Sequence, residues 1–72
     1  MADENAQVKR IGANIRNARQ NKHLIQSEAA QKAGISETYY AQVERGEKNP
    51  SITVFLRIIE ALDASSKDIL GR

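Results

Sequence analysis

Gln26-Ser27-Glu28-Ala29-Ala30-Gln31-Lys32-Ala33-Gly34-Ile35-Ser36-Glu37-Thr38-Tyr39-Tyr40-Ala41-Gln42-Val43-Glu44-Arg45-Gly46 is the stretch that decides how this chain folds. Residues 26–32 are short, Ala-rich and helix-forming. Ala33-Gly34 ends that helix, because glycine accepts the left-handed conformation at a helix C-terminus. Ile35 follows as an inward anchor. Ser36 is a good N-cap for a second helix over residues 37–45, and Glu37 suits its positive first turn. Gly46 ends it. Ala30 falls where the first helix must approach the second closely, and Ile35 and Val43 lock the two together. An alanine and a glycine four residues apart are common, so this pair alone also fits a generic αα-hairpin in a small bundle.

Upstream, Val8, Ile11, Ile15 and Ala18 recur at spacings of three and four, one face of a helix. Lys9, Arg10, Arg16 and Arg19 lie mostly off that face. Asn21-Lys22-His23 reads as the helix end, where cations are favoured, and Leu24 points back inward. Residues 1–7 are polar and acidic and are expected to form a flexible N-terminal arm. Downstream, Glu47-Lys48-Asn49-Pro50 is a turn, with Pro50 holding Asn49 extended. Ser51 caps a helix whose Ile52, Phe55, Ile58, Ile59 and Leu62 are expected to form one continuous core stripe. Val54 lies about a third of a turn off that stripe and is expected to be exposed. Asp63-Ala64 breaks the helix. Ser65 with Asp68 three residues later resembles a capping box for a last short helix ending near Leu70. No segment alternates apolar and polar over strand length. The expectation is all-α: a compact bundle of five short helices in one domain over residues 8–70.

Composition bounds what such a bundle can do. Seventy-two residues make one domain. Ten of the 29 hydrophobic residues are Ala, leaving 19 large apolar side chains. A domain this small buries only about 60% of its unfolded surface. There is no cysteine, so no disulfide or thiolate metal site can staple it. No apolar run approaches the roughly 18 residues of a membrane span, and the acidic start Met1-Ala2-Asp3-Glu4-Asn5 is unlike a secretory signal. A cytoplasmic location away from membranes is therefore expected. The single histidine, His23, has no second metal ligand nearby in sequence and reads as a surface residue. No nucleophile–base pattern is present, and so short a chain can hardly enclose a catalytic pocket. No catalytic residue, metal or cofactor is expected. The net charge is only +2. Through Gly34 there are six basic residues against three acidic, and from Ile35 five against six. If nucleic acid is bound, a few placed cations must do it.

The wider pattern is more specific than any single helix. Ile11-Gly12, Ile15-Arg16, Arg19, Leu24-x-Gln26, Ala30, Gly34-Ile35-Ser36, Tyr39, Val43-Glu44-Arg45-Gly46, Asn49-Pro50-Ser51 and Leu62 arrive in order. This resembles the Cro/cI-type helix-turn-helix family of phage and bacterial transcriptional regulators, over nearly the whole chain. Val43-Glu44-Arg45-Gly46 followed by Asn49-Pro50-Ser51 is the most family-specific part. The resemblance implies a lambda-repressor-like DNA-binding domain. Four positions depart from the family pattern. Ile25 stands where Thr, Ser or Asn usually caps the second helix, and losing that cap costs about 1 kcal/mol. Ala29 replaces a usual Leu and Tyr40 a usual Ile or Leu, so the larger ring is expected to fill the space the smaller residue leaves. Asp63 replaces a usual Gly.

The resemblance implies a sequence-specific, double-stranded DNA-binding transcriptional regulator. It would act as a homodimer reading a near-palindrome through the helix that starts near Glu37. Its base-reading positions would be 37, 38 and 42, on an outward face that holds Ser36, Glu37, Thr38, Ala41 and Gln42. Gln42 can pair bidentately with adenine, Thr38 can meet a thymine methyl, and Glu37 can accept from cytosine N4. Gln26, Tyr39, Arg45, Lys48, Asn49 and Arg16 are the candidates for the DNA backbone. Arg19 and Glu44 would form an ion pair that is mainly structural. Val54 is the candidate dimer contact. Candidate partners besides DNA and a second copy are RNA polymerase or a toxin. The alternative is a protein-interaction module of the same fold, an antitoxin or coactivator-like bridge.

Overall fold

The computed structural model describes residues 4–71. They form α1 (Glu4–Asn21), α2 (Gln26–Ala33), α3 (Glu37–Glu44), α4 (Ile52–Ala61) and α5 (Ser66–Leu70), with no strand among the described residues. None of these helices is long and apolar enough to cross a membrane. The all-α expectation holds, but α1 begins earlier than expected. Residues 4–7, read as part of an arm, continue the helix. Ala6 and Gln7 are good helix formers. The rest of the expected arm, residues 1–3, lies outside the described residues.

Local chemistry sets the helix ends. The hydroxyl oxygens of Ser36, Ser51 and Ser65 accept from the N–H of Tyr39, Val54 and Asp68 at the starts of α3, α4 and α5. Asp68 completes its capping box by accepting from the Ser65 N–H at 3.3 Å. Ile25, at the N-cap of α2, has no acceptor to offer. Glu28 supplies half of a capping box by accepting from the Ile25 N–H at 2.9 Å. The C-termini of α1 to α4 close alike: a 6→1 bond and a tighter bond flank one left-handed residue. That residue is Gly34 after α2 and Gly46 after α3, but His23 (φ 57°) after α1 and Asp63 (φ 50°) after α4. Aspartate tolerates this geometry better than most residues, so the substitution of Asp63 for glycine leaves the turn intact. Lys22 donates to Asp63 at 3.3 Å and ties those two turns together.

The core is small. Ile15, Tyr40, Val43, Ile58, Leu62 and Ile69 are its large fully buried side chains. Ala29, Ala30 and Ala33 let α2 pack on both α3 and α4. Tyr40 and Ala29 are both fully buried in this cluster, as the proposed exchange of volume requires. α1 packs on α3 and α5. Gly12 makes the first contact possible, because a Cβ there would overlap the Val43 and Glu44 carbonyl oxygens. Asn14 fixes the second by donating to the Ile69 carbonyl at 2.8 Å.

α4 departs from the expected stripe at Ile52 alone: Ile58 and Leu62 are buried, and Phe55 and Ile59, with Val54 and Ala61, are partly buried against the core. Ile52 is 70% exposed and Leu56 56% exposed. At ~100° per residue, Ile52 and Leu56 share one arc while Val54, Ile58 and Leu62 share another, with Ile59 at the margin between them and partly buried. The apolar surface of α4 is wider than its contact with the rest of the bundle, and the helix turns the second arc inward. Val54, expected to be exposed, packs against the core.

Candidate nucleic-acid interface

The buried side of α3 carries Tyr40, Val43 and Glu44, which leaves Glu37, Thr38 and Arg45 exposed and Gln42 half-exposed. Ala41 does not join this surface. It is buried, because a single methyl group between the side chains one turn away on either side is easily covered. Ser36 is exposed at the head of the helix, but its hydroxyl oxygen is engaged in the cap to Tyr39. Tyr39 is half-buried. Of the expected base-reading set, Glu37, Thr38 and Gln42 therefore share a free face, with Ser36 at its edge.

Beside that face lies a cleft of about 580 Å³, lined by Arg16, Arg19, Ile25, Gln26, Ser27, Glu37, Glu44 and Arg45. It gathers residues from α1, from the N-terminus of α2 and from both ends of α3. Three of the expected backbone contacts, Arg16, Gln26 and Arg45, meet there. The N-terminal N–H groups of α2 add a partial positive charge. Ser27 lies at this opening and was missed in the sequence; its only signal is its place in the first turn of α2. Lys48 and Asn49 are exposed on the α3–α4 connection.

The floor of the cleft is polar and closed. Arg19 Nε donates to Glu44 Oε2 at 2.7 Å and Nη2 donates to Oε1 at 3.1 Å. The Glu44 side chain is 2% exposed and that of Arg19 12%. Arg19 Nη1 also donates to the Leu24 carbonyl at 2.9 Å, and Gln26 Nε2 to Glu44 Oε1 at 3.0 Å. One carboxylate thus joins α1, the start of α2 and the end of α3. Burial pushes the Glu44 carboxyl up, but the bonds from Arg19 and Gln26 outweigh it and its pKa falls below the usual value. The bond to Glu44 likewise raises Arg19. Gln26 keeps a second amide hydrogen for an anion while its orientation is set by Glu44. The Tyr40 hydroxyl is buried beside this pair without a hydrogen-bond partner. Burial, then the neighbouring Glu44 carboxylate, push its pKa far above the ordinary phenol value.

Arg45 is also engaged. Its Nε donates to Glu47 Oε2 at 2.8 Å and its Nη2 to Oε1 at 3.1 Å, with both side chains about half exposed. Sequence reasoning missed Glu47, since residues two apart do not face each other on a helix. Left-handed Gly46 (φ 76°) turns the chain so that they do.

A second, apolar groove of about 320 Å³ is lined by Val8, Ile11, Val43, Asn49, Pro50, Ile52, Phe55 and Leu70. No group of three or more His, Cys, Asp or Glu suited to a metal occurs among the described residues.

A bundle in which α2 packs behind a short α3, with the outer face of α3 polar and free, is a helix-turn-helix arrangement. A family model described as Helix-turn-helix matches residues 15–69. The chain belongs to this family. Among its helix-turn-helix relatives is the HTH-type transcriptional regulator y4dJ of Sinorhizobium fredii. It is 31% identical over 62 residues, which cover 86% of this chain and 80% of that protein. The regulator SinR of Bacillus subtilis is 36% identical over 61 residues, covering 83% of this chain and 55% of SinR. Among solved structures, the restriction-modification controller protein C.AhdI from Aeromonas hydrophila superposes with a TM-score of 0.85. That match is 31% identical and covers 89% of this chain and 97% of the controller. The chain spans about half the length of several curated relatives, including 44% of a Mycobacterium tuberculosis regulator. These helix-turn-helix proteins are DNA-binding transcriptional regulators, not enzymes.

Proposed function

We propose that this domain binds a specific double-stranded DNA sequence as a homodimer, with the N-terminal half of α3 in the major groove. One observation carries the reading: Glu37, Thr38 and Gln42 are a polar, uncovered face of α3, and Glu37 also lines the cleft that holds Arg16, Gln26 and Arg45. Side chains able to read bases thereby adjoin groups able to hold phosphates, and exposed Lys48 and Asn49 follow α3 in the chain. Two copies related by a two-fold axis would place their α3 helices about 34 Å apart and read a near-palindrome. The exposed apolar side chains Ile52, Leu56 and Leu70 are the surface for the dimer. Val54, which lies on the core side of α4, contributes at most through its half-exposed edge.

The test is a fluorescence-anisotropy titration against a duplex selected from a random pool, with Gln42→Ala and Lys48→Ala as variants. Gln42→Ala weakens the selected site by about 1–3 kcal/mol and relaxes one base position. Lys48→Ala weakens all sequences alike and reduces the salt dependence. Selection that enriches no sequence refutes base reading and favours a protein-interaction module. Sedimentation showing a monomer both free and on DNA refutes the dimer.

A further inference from the structure

Among the described residues, Glu47 is the one acidic side chain in an ion pair with a cation proposed to meet phosphate. Building on the DNA-binding reading above, we propose that Glu47 is an internal competitor for DNA phosphate, holding the Arg45 guanidinium in the free protein and thereby setting affinity and salt dependence.

The geometry is that of a fork on a carboxylate. Nε and Nη2 of Arg45 each meet one Glu47 oxygen, at 2.8 and 3.1 Å. The same parallel pair of N–H groups is what a phosphate takes from arginine. Phosphate and Glu47 therefore cannot both occupy it. Gly46 and the bond from the Glu47 N–H to the Gln42 carbonyl at 2.9 Å bring the carboxylate back beside Arg45, while Arg45 also lines the cleft with Arg16 and Gln26. Lys48, another proposed phosphate cation, follows Glu47 directly in sequence and helps, after the Arg45 bonds, to keep it ionised.

The contrast with Glu44 shows that the pair is not there to hold the fold. Glu44 is buried under Arg19 and carries a second donor from Gln26. Glu47 is about half exposed, and exposed ion pairs of this kind add little to stability. What Glu47 does supply is a negative charge within bonding distance of a cation that phosphate needs. Where phosphate takes that Nε–Nη2 edge, Glu47 releases Arg45 to water, and the exchange lowers the net gain from the phosphate contact.

The experiment compares parent, Glu47→Gln, Arg45→Ala and the double variant on one selected duplex over a range of salt concentrations. Glu60→Gln is the control for a simple charge change, since Glu60 lines a different cleft with Lys32 and Arg57. Glu47→Gln is expected to bind about fivefold more tightly than the parent, with log Kd against log salt steeper by up to about 0.9, the counterion of one phosphate. In the Arg45→Ala background that gain largely disappears, and Glu60→Gln gives none. If Arg45→Ala weakens binding but Glu47→Gln leaves affinity and slope unchanged or weakens them, Glu47 is no competitor and DNA binding stands. An equal gain from Glu47→Gln with and without Arg45 also overturns the proposal, by reducing it to a general field effect. If the parent binds no duplex, both readings fall.

Discussion

Removing either member of the Arg19–Glu44 pair tests how the start of α2 and the end of α3 are held together. Glu44→Leu leaves a guanidinium whose side chain is 12% exposed, with only the Leu24 carbonyl as partner. Arg19→Met leaves a carboxylate that is 2% exposed, with only Gln26 donating. Stranding a buried charge costs about 3–5 kcal/mol. A chain of this length is stable by only about 4–11 kcal/mol, so each single variant loses a large part of the total. The double variant removes both charges and refills the space with apolar atoms, which is often close to neutral. It still orphans the Leu24 carbonyl and the Gln26 amide, at about 1 kcal/mol each. It should therefore lose far less than the two singles together, a coupling of at least about 2 kcal/mol by urea unfolding. The pH dependence checks the sign. With its folded pKa lowered, Glu44 stabilises the parent fully above its usual 4.5, and that contribution is lost as pH falls through the folded value. In Arg19→Met, burial dominates and raises the folded pKa, so that variant instead loses stability as pH rises. The gap between parent and Arg19→Met is then narrow in acid and widest near neutrality. Single variants that each cost under about 1 kcal/mol, or a gap independent of pH, would refute the reasoning.

Gly12→Ala should lower stability by about 1–3 kcal/mol despite the better helix propensity of alanine, because the new methyl overlaps two α3 carbonyl oxygens and forces α1 outward. A thermal melt at or above that of the parent contradicts the close approach. Tyr40→Phe should be neutral or stabilising by up to about 1 kcal/mol in urea unfolding, since it removes a buried hydroxyl that has no partner while keeping the ring. A loss of more than about 1 kcal/mol would show instead that the hydroxyl donates to the neighbouring Glu44 carboxylate.

What was legible in the sequence depended on the range of the interaction. Ser36, Ser51 and Ser65 each bond an N–H three residues on, so type and position alone identify them as caps. Gly34 is equally local. The Arg19–Glu44 pair spans 25 residues and is reached from the sequence only through the family resemblance; the structure places the two groups 2.7 Å apart. Glu47 was missed because Gly46 brings side chains together that no helical spacing would. Ala41 was placed outward by its angle around α3, but burial also depends on side-chain length. Periodicity could not orient α4, because its apolar residues cover two overlapping arcs. Which arc faces inward is decided by α2 packing against it from a distant part of the chain.

That choice bears directly on the proposed dimer. A core whose large fully buried side chains, among the described residues, are Ile15, Tyr40, Val43, Ile58, Leu62 and Ile69 has little apolar surface to lose. Even so, Ile52, Leu56 and Leu70, with exposures of 70%, 56% and 40%, remain outside it. A scattered exposed apolar residue means nothing. These are not scattered: Ile52 and Leu70 border one apolar groove with Val8, Ile11 and Phe55, and Leu56 lies one turn on from Ile52 along the same arc of α4. Covering that surface with its own copy would bury, per protomer, side chains comparable in size to those of the core itself. It would also draw in Asn49 and Pro50, which line the same groove, and so fix the loop that carries Lys48. On this geometry the dimer contact and the backbone-contacting loop are parts of one surface. Loosening the dimer with Leu56→Ser should therefore weaken DNA binding by more than the loss of two-site avidity alone.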